Sequence, residues 1–290
     1  MVSLSLLVSL AIVPFVVGQA TDTNNTQFQI EAIQAHFSGA GIVPSLLTTF
    51  DPEALLTISY DGVSALTPGQ ALTKTQVAPT PVLAVTPANS TVSLTGSFTL
   101  VMADAGPVGT DETQGQTRHW LVNGVTLTGS APLNVSTTDG VAITSYAGPA
   151  PAQGSGAHRY VILLYSQPSS FAAPQGLDTA NTPVSVFNLS DYVKTSGLGP
   201  LVAANYITVE EGTATFTPSS TAPVATSTLP VPATSTGGSS AASTGSKTGS
   251  AAPTSTGNAQ QSGAIPKISK TFSVEVLFMA GLATIGFLFN

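Results

Sequence analysis

The sequence predicts a β-dominant domain with short helices at its rim, followed by a tail with no fold of its own. The first observation is a series of short runs rich in β-branched, aromatic and aliphatic residues, at 57–60, Ser97–Asp104, 119–125, 160–167 and Ser185–Phe187, each bounded by Gly, Pro, Asn or Asp. The second is weak helical periodicity, with candidates only at 42–47, after Gly41, and at 189–195, where Asn188 or Ser190 is placed to cap the first turn. The third is a sharp change of composition near residue 218, where Ser, Thr, Ala, Pro and Gly take over.

Both ends read as processing signals. Residues 1–20 form an apolar run through Leu4, Leu6, Leu7, Val8, Leu10 and Ile12, interrupted by Pro14 and closed by the small residues Gly18 and Ala20, as in a cleaved secretory signal peptide. At the other end Ser262-Gly263-Ala264 supplies small residues, a more polar spacer follows, and residues 276–289 are an apolar tail with only Asn290 after them. That order matches a glycosylphosphatidylinositol attachment signal with Ser262 as the attachment residue, Gly257-Asn258-Ala259 as the alternative, and 263–290 as the removed propeptide. A spanning helix would be flanked by cytoplasmic Lys or Arg, which the terminus lacks. Between these signals the expected organisation is a folded domain over 27–217 and a disordered, O-glycosylated stalk over 218–262.

Charge narrows the function. With 7 Lys plus Arg against 14 Asp plus Glu, and no basic run, the chain lacks the cations that hold a phosphate backbone, so a nucleic-acid partner is excluded. Cysteine is absent, which removes disulfides, thiolate metal sites and a cysteine nucleophile. Asn24, Asn89, Asn134 and Asn188 lie in Asn-x-Ser/Thr sequons, consistent with a glycosylated, secreted surface. The expected location is the outer face of the plasma membrane or the cell wall, held by the lipid anchor.

Histidine is rare, and two of the three histidines open strand-like runs: His119 in Arg118-His119-Trp120-Leu121-Val122, and His158 in His158-Arg159-Tyr160-Val161-Ile162. Strand alternation puts His158, Tyr160 and Ile162 on one face and Arg159 and Val161 on the other, while Met102 and Asp104 share a face. One carboxylate and two imidazoles can therefore meet at strand ends. A metal site is not expected, because no His-x-His or His-x-x-x-His spacing is present. Gly154-Ser155-Gly156 reads as a tight turn, with no Gly-x-Ser-x-Gly elbow to make Ser155 a nucleophile. His36 falls outside these blocks and is read as a surface residue.

The block Phe98-Thr99-Leu100-Val101-Met102-Ala103-Asp104-Ala105-Gly106-Pro107 with His119-Trp120, and the block Tyr146-Ala147-Gly148-Pro149-Ala150-Pro151 leading to Gly156-Ala157-His158-Arg159-Tyr160, resemble the two signatures of the phosphatidylethanolamine-binding protein family. Ile42-Val43-Pro44 through Ile58-Ser59-Tyr60, and Gly199-Pro200 through Asn205-Tyr206, resemble its opening and closing segments. The resemblance implies a β-sandwich with a small anion pocket near one surface, in a fungal-type, secreted, lipid-anchored member. Carried over by position, the pocket is Asp104, Pro107, His119, Pro151, His158 and Tyr160, with Arg159 pairing a carboxylate and bracing the loop. The first loop is a residue shorter than the family pattern and lacks its second Asp, having Ala105-Gly106 before Pro107; Asp111 or Glu112 are the carboxylates available to replace it.

The expected function is a non-enzymatic binding module, without a cofactor, for an anionic phospholipid headgroup or a small phosphorylated ligand. The alternatives are an inhibitor of serine proteases or carboxypeptidases, and a structural cell-wall mannoprotein.

Overall fold

The apolar runs at 97–104 and 158–167 are too continuous for strands with one wet face, and the computed structural model shows why. It describes residues 23–63, 66–217, 219 and 224. The elements are α1 (Thr23–Gly39), α2 (Ile42–Ser45), β1 (Ala54–Ser59), β2 (Gln70–Leu72), β3 (Val82–Pro87), β4 (Ser97–Asp104), β5 (Gln116–Thr128), β6 (Leu133–Ser136), β7 (Val141–Thr144), β8 (His158–Gln167), β9 (Ser185–Phe187), α3 (Leu189–Ser196) and β10 (Leu201–Val209). β4 and β8 lie side by side in the centre of the larger sheet and are buried on both faces.

The strands run in the order β1-β3-β6-β5-β4-β8-β10-β2, with β7 and β9 added along β5, and every pairing is antiparallel except β10 with β2. β5 is the hinge of this arrangement: its first part pairs β4, and its last residues, Thr126–Thr128, pair β6. Gly124 makes the turn possible. It is skipped in the register between Phe98↔Val125 and Thr99↔Asn123, and its φ of 75° is a conformation that a residue with a Cβ rarely adopts. The bulge bends the sheet onto itself.

The fold encloses one core and roofs another. Leu56, Ile58, Leu83 and Val85 from the smaller sheet face Leu100, Met102, Trp120, Tyr160, Ile162 and Ile207 from the larger one. On the opposite face, Val101, Leu121, Val161, Leu163 and Tyr206 pack under Ile33, Phe37, Ile42, Leu189 and Tyr192 from the helices. The parity read from the sequence holds, with Tyr160 and Ile162 in one core and Val161 in the other.

Two readings need correction. α1 was not expected, because Asn, Thr and Gln dilute its apolar signal; Ile30, Ile33 and Phe37 nevertheless recur on one face and are buried, and Phe37 stacks on Phe50 with ring centroids 4.1 Å apart. His36 is consequently half-buried on that helix, and burial lowers its pKa. The helix at 189–195 is observed as Leu189–Ser196, and the cap is Asn188, whose side chain accepts the Asp191 amide at 3.0 Å. The strand read at 57–60 runs Ala54–Ser59, and the one read at 119–125 extends to Gln116–Thr128.

The signal peptide 1–20, the stalk 218–262 apart from Ser219 and Val224, Ser262 and the propeptide 263–290 lie outside the described residues. Asn89 and Asn134 are exposed, Asn188 is half-buried in its capping role, and the side chain of Asn24 lies outside the described part.

Candidate functional site

β4 and β8 are antiparallel neighbours with Asp104 opposite Tyr160, so the end of one strand meets the start of the other. Asp104 and His158 face each other there: Nδ1 of His158 lies 2.9 and 3.0 Å from the two carboxylate oxygens. The carboxylate also accepts the Gly106 amide at 2.8 Å. Gly106 has a φ of 60°, and a Cβ there would collide with Thr110. The shortened loop is thus folded back on Asp104 itself.

His119 reaches the same place through a second bulge. Met102 pairs with Trp120 and Ala103 with Arg118, so His119 is the extra residue. Strict alternation would put its ring with Leu121 on the helix-covered face. The bulge instead turns His119 toward Tyr160, edge to face with centroids 5.2 Å apart, while Arg118 points to the other layer and lies over Phe187. Nδ1 of His119 is 3.0 Å from the Ala147 carbonyl, and the Ala147 amide donates back to the His119 carbonyl at 2.9 Å. These partners assign the Nδ1–H tautomer to His119 and leave Nε2 without a hydrogen bond among the described residues.

Tyr160 lies between the imidazoles, its ring 6.3 Å from that of His158. The residue is 0% exposed, and its hydroxyl lies near Asp104 and the Ala150 amide without a well-formed hydrogen bond to either. Burial first, then the Asp104 charge, pushes its ionisation far above the ordinary phenol range, so the hydroxyl stays protonated. A buried, unsatisfied hydroxyl beside two imidazoles is a donor waiting for an acceptor. Pro151 is buried and Pro107 half-buried in the flanking loops.

Arg159 points away from this cluster and braces it. Its guanidinium donates to the carbonyls of Ala40 at 2.9 Å, Ala105 at 2.5 Å, Gly106 at 3.0 Å and Pro107 at 3.1 Å, and pairs with Glu112 at 3.1 Å. Glu112 therefore does not replace the missing loop carboxylate. Burial raises its pKa, against the opposing pull of its Gln116 hydrogen bond and Arg159. Asp111 does not replace it either: its carboxylate accepts the Thr113 amide at 3.0 Å and hydroxyl at 2.6 Å.

Ser155 was read as a turn residue only. Its hydroxyl lies 2.9 Å from Nε2 of His158 and 2.6 Å from the Ala152 carbonyl. The i, i+3 spacing of Ser155 and His158 was the available signal. No group of His, Asp and Glu among the described residues is arranged to hold a metal ion.

A folded-over sheet roofed by helices, with its His/Asp cluster where β4, β5 and β8 come together, defines a class of β-sandwich proteins. The sequence profile described as phosphatidylethanolamine-binding protein matches residues 62–217, and the chain belongs to that family. It is 28% identical over 176 residues to CEN-like protein 1 of Nicotiana tabacum, covering 60% of this chain and 91% of that one. It is 30% identical over 139 residues to the 26 kDa secreted antigen of Toxocara canis, covering 48% of each. Among solved structures, the chain is similar to the carboxypeptidase Y inhibitor crystallised with its cognate proteinase, at 25% identity and a TM-score of 0.51, covering 67% of this chain and 98% of that one.

Proposed function

We propose that the chain is a cell-surface binding module for a phosphorylated small molecule or the phosphoryl headgroup of a lipid such as phosphatidylethanolamine. The observation that carries the reading is the unsatisfied Tyr160 hydroxyl between His119 and His158. The other cations support it. Arg159 is committed to loop carbonyls and Glu112, Arg118 is buried against Thr144, Pro183 and Ser185, Lys74 pairs with Glu211 at 3.4 Å, and Lys194 stands exposed in the last turn of α3. Recognition of an anion at this site then falls to imidazole and phenol.

Nδ1 of His119 faces the Ala147 carbonyl, which leaves its Nε2 to meet a phosphate, whereas Nε2 of His158 contacts the Ser155 hydroxyl, which a phosphate would displace. Isothermal titration with phosphoethanolamine tests the site: His158→Ala should weaken binding by about 1–3 kcal/mol. Asp104→Asn should change affinity while leaving the fold intact. A His158→Ala protein that binds as tightly as the parent contradicts the assignment.

The lipid anchor at Ser262, the cleaved signal and the glycosylated stalk belong to the same proposal. Phosphatidylinositol-specific phospholipase C should release the protein from intact cells, whereas recovery of a tryptic peptide from 276–290 in the mature protein contradicts the anchor.

The likeness to the carboxypeptidase Y inhibitor supports a second reading, inhibition of a peptidase. Adding the purified protein to carboxypeptidase Y and measuring residual activity separates the two readings.

A further inference from the structure

His158 is hydrogen-bonded through both ring nitrogens, and the two partners are chemically unlike. Nδ1 faces the Asp104 carboxylate at 2.9 and 3.0 Å, and Nε2 faces the Ser155 hydroxyl at 2.9 Å. Asp104 is itself fixed by the Gly106 amide at 2.8 Å. A hydroxyl, an imidazole and a carboxylate joined in that order through opposite ring nitrogens is the wiring of a nucleophile, its general base and the group that orients the base, and the links fall within the reach of about 2.6–3.2 Å that such transfers use.

We propose that Ser155, His158 and Asp104 form an acyl-transfer triad that acts on small, unhindered carboxylic esters. Asp104 sets the tautomer: with the Nδ1 proton donated to the carboxylate, Nε2 presents a lone pair to the serine. The serine proton has another acceptor, the Ala152 carbonyl at 2.6 Å, so rotation about Cβ–Oγ moves it between that carbonyl and the base. The cluster is open to a reagent, since Ser155 is half-exposed and the side chains of His158 and Asp104 are 17% and 11% exposed. The Gly156 and Ala157 amides follow the serine and donate to no group among the described residues, which makes them the available donors for a developing oxyanion.

In the reaction, an Oγ lone pair forms a bond to the acyl carbon, the carbonyl π electrons move onto oxygen, and the Oγ proton passes to Nε2. Re-formation of the carbonyl breaks the bond to the leaving alkoxide, which takes the Nε2 proton and departs as the alcohol. Water then attacks the acyl-serine with His158 as base. The acyl–Oγ bond breaks, the carboxylic acid leaves and the proton returns to Ser155.

This inference shares His158 and Asp104 with the ligand site but does not depend on anion binding. The test incubates the full chain with p-nitrophenyl acetate and, separately, with a fluorophosphonate probe, followed by peptide mapping. The expected results are a phosphonyl adduct on Ser155, ester hydrolysis that falls to the buffer rate in Ser155→Ala, and a loss of about 100-fold or more in His158→Ala. A urea midpoint equal to the parent's shows that Ser155→Ala is folded. An unlabelled Ser155, or a folded Ser155→Ala that hydrolyses the ester at the parent rate, overturns the triad. If the same protein still binds phosphoethanolamine, the ligand site stands without it.

Discussion

Arg159→Ala should destabilise the domain more than any change inside the ligand cluster. The guanidinium is 1% exposed and is the shared donor for the carbonyls of Ala40, Ala105, Gly106 and Pro107, besides pairing with Glu112. Removing one partner of a buried ion pair costs about 3–5 kcal/mol. Gly106 keeps the Arg159 amide and Pro107 keeps Thr110 as donors, so the Ala40 and Ala105 carbonyls are the ones left without a donor; each adds roughly 1 kcal/mol, but the losses share one site and do not sum. A net loss of about 4 kcal/mol, with a urea m-value of about 2 kcal/mol/M, lowers the unfolding midpoint by about 2 M. Arg159→Lys should recover less than half of this, since a single ammonium cannot span carbonyls spread on both sides of a planar fork. A midpoint shift below about 0.5 M in Arg159→Ala would refute the bracing role.

Other consequences follow from the same contacts. Burial raises the folded-state pKa of Glu112 above its ordinary value of 4.5, so its contribution to stability is fully present below that value and is lost as pH rises through the raised one; Glu112→Gln should lack this dependence in urea melts across the acid range. Burial lowers that of His36, so its contribution is present above the ordinary 6.5 and is lost as pH falls through the lowered value; His36→Gln should flatten the melting profile there. Gly124→Ala should cost about 1–2 kcal/mol by forcing a Cβ into the left-handed region that bends β5, read as a lowered melting temperature. Asn188→Ala should cost about 1 kcal/mol through loss of the α3 cap, measured on protein freed of glycans.

Much of the fold was legible because it is written in local patterns. β4 and β9 were read at their observed bounds, and the opposite facing of Tyr160 and Val161 followed from alternation alone. α1 was not legible because its buried face is a narrow row of Ile30, Ile33 and Phe37 among mostly polar residues. β2 and β10 are paired across a long stretch of chain, and such pairing leaves no trace in a short window of sequence.

Which side chains meet at these strand ends was legible, and how they are wired was not. Asp104, His158 and Tyr160 were placed together by parity and by the family resemblance. The turn of His119 toward them depends on a bulge, which alternation cannot foresee. Arg159 was expected to brace the loop against a carboxylate, and Glu112 is that carboxylate, which removes it from the role of replacing the missing loop Asp. The contact of Ser155 with His158 depends on how the Ala152–His158 turn closes, and in the sequence the Gly residues around it point only to the turn.

The most direct test of the central claim uses the scarcity of histidine. The chain has 3, so the imidazole resonances of His36, His119 and His158 can be followed individually by two-dimensional nuclear magnetic resonance during titration with phosphoethanolamine. The ligand site proposed here predicts that the His119 and His158 resonances shift together and saturate with one binding curve while His36, on α1, stays in place. Static His119 and His158 resonances at ligand concentrations that saturate a heat signal would put the ligand elsewhere and contradict the account.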